Sequence, residues 1–210
     1  MLGLSVCIPV FNYDVTKLVS DINLQCDEEQ IEYEIVVVDD GSTKCKEENR
    51  GISAIPRVRY TELPQNIGRS AIRNRLVREA RYDHLLFLDC DSAVVDNRFV
   101  ANYIEAARQN EQADILVGGY AYREDTPFSL RIYYGLHREV RTACERNRQP
   151  YRSFSAFNFL AKKAALESIP FDESLCEYGH EDTLLGWQLK RHGYRLLHID
   201  NPLCHLNYCG

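Results

Sequence analysis

Two aspartates, Asp89 and Asp91, close the apolar run "LLFLDCDSAV" at residues 85–94. On an extended backbone, residues two apart face the same way, so this spacing aims both carboxylates at one point. Like charges held together repel and raise each other's pKa, and a cation relieves that repulsion. Mg2+ or Mn2+ suits the pair, because hard cations take carboxylate oxygens and keep positions open for phosphate oxygens. The alternative is an acidic strand end in which one aspartate caps a helix starting near Asp96.

Other acidic and basic groups carry comparable chemistry. Asp39 and Asp40 end "YEIVVVDDGST", where a carboxylate can accept hydrogen bonds from a base or a ribose hydroxyl. Equally, Gly41 and Ser42 can form a turn whose amides Asp40 satisfies. In "NIGRSAIRNRLVREA", residues 66–80, Arg69 and Arg73 are four apart and share a helix face. Their forked guanidinium groups suit a diphosphate, although Arg75, Arg78 and Arg81 crowd the same segment and read as a solvated face. Glu181 and Asp182 follow Gly179 and open "EDTLLGWQLKRHG". Adjacent helical residues point about 100° apart, so only one of the two faces a given pocket as a general base. Acids at a helix N-terminus are also favourable in their own right, by about 0.3–1 kcal/mol. His205, in "NPLCHL" after the last strand, reads either as a metal ligand or as a packed histidine.

These groups need elements to hold them. Short apolar runs at residues 4–10, 33–38 and 85–88 read as strands, with "RVRYTEL" between the last two. Their unbroken apolar character indicates a sheet covered on both faces. "VTKLVSDINLQ", residues 66–80 and "RFVANYIEAARQ" have helical spacing, and "DILVGGY" is a further strand. Strands alternating with helices imply an α/β fold with a mostly parallel sheet, whose ligands bind outside the carboxyl ends of the strands. "PVFN", "DDGST" and "DCDS" all stand at such ends. Beyond residue 120 the pattern changes: "FSLRIYYGLHREVRTACERNRQ" reads as one long Arg-rich helix, and "FSAFNFLAKKAALES" and "YRLLHID" alternate less regularly. One fold over residues 1–210 is expected, in which about 1–119 resembles a nucleotide-binding half-sheet and about 120–210 completes the pocket.

Bulk composition narrows the class. The chain has 210 residues, 45% of them hydrophobic, and a net charge of −6. An acidic balance with mixed signs argues against a nucleic-acid or anionic-membrane binder. None of the eight cysteines forms a Cys-x-x-Cys pair. The opening "MLGLSVCIPVF" reads as a strand rather than a secretion leader, so reduced thiols in the cytoplasm are expected. No run approaches the ~18 apolar residues of a membrane span.

Taken in order, "SVCIPVFN", "EIVVVDDGST", "NIGRSAIRNR", "LLFLDCDS", "GHEDTLLGWQLKRHGYRL" and the trailing histidine resemble glycosyltransferase family 2. The likeness runs from about Ser5 to His205. It implies the GT-A fold, a Rossmann-like mixed sheet flanked by helices, and transfer of a sugar from a nucleotide-diphospho-sugar to an acceptor hydroxyl with inversion. Position by position, it implies that Pro9, Phe11 and Asn12 border the nucleotide and that Asp39 and Asp40 contact base or ribose. Gly68 admits the backbone, Arg73 holds base or diphosphate, and Asp89 contacts ribose or sugar. Asp91 binds Mn2+ or Mg2+, with His205 completing that site. Asp182 matches the base, and Glu181 beside it contacts the acceptor. The donor implied is a UDP-sugar, and the acceptor a saccharide or lipid-linked saccharide, with peripheral contact at the inner face of the membrane left open. Processive members carry Gln-x-x-Arg-Trp well after the Glu-Asp pair. Here "QLKRH" sits in the same helix and lacks the Trp, which disfavours a processive synthase. The chain ends five residues after His205, where many members continue. Two rival readings stand beside this one: a non-catalytic sugar-nucleotide-binding module, and a haloacid-dehalogenase-like phosphatase using Asp89 as nucleophile.

Overall fold

A computed structural model describes residues 2–122, 130–175 and 179–206. The chain begins with β1 (Gly3–Val10), α1 (Thr16–Glu28), β2 (Glu32–Asp39) and the short α2 (Lys46–Arg50). β3 (Val58–Glu62), α3 (Arg69–Glu79) and β4 (His84–Leu88) follow, then β5 (Ser92–Ala93) and α4 (Phe99–Gln109). β6 (Ile115–Val117) and β7 (Tyr120–Ala121) precede α5 (Leu130–Tyr134) and α6 (Ala143–Arg146). The remainder is β8 (Asn158–Lys162), α7 (Lys163–Ser168), α8 (Glu181–Arg191), β9 (Leu196–His198) and β10 (Leu203–His205).

Seven strands form one sheet in the order β3-β2-β1-β4-β8-β6-β9. β1 to β4 pair in parallel, β8 runs against both β4 and β6, and β9 runs with β6. The period-2 alternation of side chains divides the apolar runs between two cores. Val6, Ile8, Ile35, Val37, Leu86 and Leu88 pack with α1 and α4 on one face. Cys7, Val36, Val38, Leu85 and Phe87 pack with α3, α7 and α8 on the other. Continuous apolar strands thus become buried strands, as the sequence predicts. A second sheet, β5-β10-β7, caps the carboxyl ends of β4 and β6. In it His205 pairs antiparallel with Ser92, which brings the end of the chain beside the Asp89–Asp91 turn.

Several expectations need correction. The long Arg-rich helix is not formed: α5 runs into a π-helical turn at Gly135–Glu139, the backbone is extended at Val140, and α6 starts afresh. Thr142 ends continuity by capping α6, with Glu145 completing a reciprocal capping box. His205 lies within a strand rather than after the last one. Neither Asp89 nor Asp91 caps a helix, because α4 begins at Phe99 and Asp96 itself accepts from the Arg98 amide. Helix α3 begins at Arg69 rather than Asn66, and Ile67 stands before it, exposed. No helix among the described residues is long and apolar enough to cross a membrane.

Candidate active site

The carboxyl ends of β1, β2 and β4 open into a cleft of about 1830 Å³. That exceeds the roughly 300–1,000 Å³ of a drug-sized site and leaves room for two substrates side by side. Asp40, Asp91 and Asp182 all line it, together with Pro9, Phe11, Gly68, Arg73, Asp89, Glu181 and His205.

Asn12 and Asp39 do not line the cleft; both are spent on holding its wall. The Asn12 side-chain oxygen accepts from the Thr43 and Lys44 amides at 2.7 and 3.1 Å, and its own amide donates to Ser42 Oγ. Asp39 is fully buried: Oδ1 accepts from the Ser42 amide and Oδ2 from the Tyr60 hydroxyl. The turn amide therefore goes to Asp39, not to Asp40. Asp40 instead reaches across to the loop before α3, accepting from the amides of Ile67 at 2.7 Å and Gly68 at 3.1 Å. Burial raises its pKa even against those two amides. Gly68 adopts φ +91° and ψ 161°, a region essentially closed to residues with a Cβ. Space around its Cα is open, so conformation rather than crowding requires glycine here.

Arg73 is a buried guanidinium, although a helix so rich in arginine reads as a solvated face. Its Nη2 donates to Asp89 Oδ1 at 2.7 Å, and the group lies 5.6 Å from the Phe171 ring centre. Asp89, Asp182 and Glu181 hold it charged against the cost of burial.

The Glu181–Asp182 pair behaves differently from expectation. Both carboxylates line the cleft, because it wraps around the first turn of α8 instead of meeting one face. Glu181 lies 3.8 Å from Arg69. Asp182 Oδ2 accepts from the Ala156 amide at 3.0 Å, while Oδ1 is buried without a partner. Helix α8 approaches close enough for this because residue 186 is glycine: a Cβ there would sit 2.4 Å from the Tyr151 carbonyl. Desolvation pushes the Asp182 pKa up to about 6, opposed by the Arg73 charge.

Asp91 and His205 face each other, Oδ2 to Nε2, at 3.5 Å, and His205 Nδ1 is buried without a partner. Among the described residues no cluster of three or more His, Cys, Asp or Glu could hold a metal ion by itself. The facing Asp91 Oδ2 and His205 Nε2 form a two-residue donor set that fits a Mg2+- or Mn2+-type cation drawing its remaining oxygens from substrate phosphates and water.

Sequence reading missed Tyr120 and Ser155. Tyr120 stacks on Phe157 at 4.3 Å and shares a 2.6 Å hydrogen bond with Ser155 Oγ. The strand end "GGY" hinted at the tyrosine; nothing local marks the serine. From residues 149–155, Gln149 and Arg152 to Ser155 also line the cleft, and residues 123–128, a second loop of this half of the chain, lie outside the described residues.

Comparison with known proteins agrees with this architecture. The chain is 24% identical over 238 residues to chondroitin synthase of Escherichia coli, covering 97% of this chain and 34% of that one. It thus spans about a third of that relative's length. TarS of Staphylococcus aureus, solved with UDP-GlcNAc, superimposes with a TM-score of 0.71 at 19% identity, covering 100% of this chain and 62% of that chain. The mannosyltransferase PcManGT of Pyrobaculum calidifontis, in complex with GDP-Man and Mn2+, superimposes with a TM-score of 0.66 at 18% identity, covering 97% and 56%. These likenesses establish the expected GT-A fold. The family model described as glycosyl transferase family 2 matches residues 5–169, and with that span of the chain matched, the protein belongs to glycosyl transferase family 2.

Proposed function

We propose that this chain is an inverting glycosyltransferase that uses a nucleotide-diphospho-sugar, a UDP-sugar in the first instance, and an acceptor hydroxyl. The observation that carries the reading is Asp182: a buried carboxylate with one oxygen held by Ala156 and the other unpartnered, in the same cleft as Asp89, Asp91 and His205. A pKa near 6 leaves it ionised at neutral pH yet basic enough to accept a proton. The Asp182 carboxylate takes the proton of the acceptor hydroxyl as the hydroxyl oxygen attacks the anomeric carbon. The bond to the nucleoside diphosphate breaks on the opposite face, and the configuration inverts. The transition state has oxocarbenium character, as in glycoside hydrolysis.

Phe11, half exposed at the cleft, and Pro9 border the base, while Asp40 and Gly68 shape the wall beside the ribose. Asn12 and Asp39 support that wall from behind. Arg73 fixes Asp89 toward the ribose or sugar. Asp91 and His205 would hold the divalent cation, Mn2+ or Mg2+, which supplies Lewis acidity to the departing diphosphate. Glu181 meets the acceptor. In this reading residues up to about 119 bind the donor, and those from about 120 bind a saccharide or lipid-linked saccharide acceptor. TarS and PcManGT, solved with UDP-GlcNAc and with GDP-Man and Mn2+, support a nucleotide-sugar donor and a divalent cation. The phosphatase alternative needs Asp89 free as a nucleophile, and its Oδ1 is committed to Arg73.

The test is donor binding by calorimetry with and without Mn2+, followed by NMR assignment of the product's anomeric configuration. Metal-independent donor binding, or a product that retains configuration, would overturn the mechanism.

A further inference from the structure

The cleft is electrically divided. Asp40, Asp89, Asp91, Glu181 and Asp182 lie toward the strand ends, with Arg69 and Arg73 among them. Another part of the lining, built from the chain between α5 and β8, carries Arg138, Arg141, Arg148 and Arg152. All four are exposed. Among the described residues none forms an ion pair with a carboxylate; Arg152 has only a 3.4 Å contact with Gln149 Oε1. The two acids of the same stretch have hydrogen bonds of their own. Glu139 accepts from the Tyr122 hydroxyl, and Glu145 accepts from the Thr142 amide and hydroxyl. Tyr134, also in the lining, presents a ring that is 56% exposed.

In a chain of net charge −6, four exposed guanidinium groups on one stretch of a substrate cleft, with only Glu145 among the described residues acting on Arg141 and Arg148 from nearby, are out of keeping with the whole. The donor diphosphate does not account for them, since in the proposed function its charge would be met by the divalent cation that Asp91 and His205 hold. An aromatic face beside forked cationic donors suits a sugar ring bearing an anionic substituent. We infer that the acceptor is anionic: a saccharide carrying carboxylate or phosphate groups, seated on Tyr134 and the arginine stretch with its hydroxyl toward Asp182. This rests on the glycosyltransferase reading for its direction of attack, but the binding itself does not require transfer.

The experiment therefore reads saccharide binding to the full chain without donor. Three probes are compared: a hexasaccharide with a carboxylate on every second ring, the neutral chitohexaose, and a phosphodiester-linked glycerol hexamer. Expected is roughly tenfold tighter binding of a charged probe than of chitohexaose, weakening as salt rises. The better charged probe names the substituent. Arg148→Glu with Arg152→Glu should abolish the preference and leave donor affinity unchanged. Both residues are exposed, so folding should survive, and Arg148→Gln with Arg152→Gln, with an unshifted thermal melt, controls for it. Equal binding of neutral and charged probes overturns the inference, as does a reversal variant that loses donor affinity while keeping saccharide affinity. Failure of transfer chemistry shows up separately, as absent donor binding or turnover with saccharide binding intact.

Discussion

Arg73 Nη2 lies 2.7 Å from Asp89 Oδ1, tying the buried face of α3 to the carboxyl end of β4. The pair links a helix that read as solvated to the motif that read as a metal site. With side chains 5% and 25% exposed, it is largely shielded from water. Breaking such a pair leaves a charge without compensation. Arg73→Leu should therefore destabilise the fold by on the order of 3 kcal/mol, read by chemical denaturation. Loss of well under 1 kcal/mol would mean that water already screens it.

Removing the base without changing its shape separates chemistry from binding. Asp182→Asn should keep donor affinity within a few-fold and lower kcat by about 10²–10⁴. Steady-state kinetics paired with donor calorimetry reads both quantities. Unaltered kcat would exclude Asp182 as the proton acceptor.

Burial raises the Asp182 pKa to about 6, and the sign has two consequences. Activity needs the carboxylate, so kcat should climb as pH rises through 6 and then level off. Stability runs the other way. Between the ordinary carboxylate value and 6 the folded chain binds more protons than the unfolded one, so this group's contribution falls as pH rises. Asp182→Asn should accordingly be more stable than the parent at neutral pH, by up to about 3 kcal/mol, and no more stable below about pH 4. Arg73, Glu181, Asp89 and Tyr120 face the same carboxylate, and none of them changes in this variant.

Donor binding should depend on the Asp91–His205 pair. Asp91→Ala or His205→Ala is expected to weaken Mn2+-supported donor binding about 10–100-fold, and chelation of the metal should erase the difference between variant and parent. A difference that persists in chelator would give these residues a role without metal.

Gly68→Ala tests backbone conformation alone, since nothing stands near the position of the added methyl. A cost of about 1–3 kcal/mol in thermal or chemical unfolding is expected from φ +91°. The loop that donates the Ile67 and Gly68 amides to Asp40 should loosen with it.

The amino-acid sequence by itself determined the buried strands, the placing of Asp40, Asp89 and Asp91 at their carboxyl ends, and the acids opening α8. These are local properties: apolar continuity, turn chemistry and helix-start composition act over a few neighbouring residues. Only the tertiary structure decided what each group meets. It drew Asp39 inward onto Ser42 and Tyr60, pulled Arg73 out of a run of solvated arginines onto Asp89, and brought His205 to Asp91 through the pairing of β10 with β5. It also split the expected long helix, because the Thr142–Glu145 box offered the backbone a new start. Contacts between residues far apart in the chain depend on which strand pairs with which. That choice is made by burial summed over the whole core and is encoded in no single stretch.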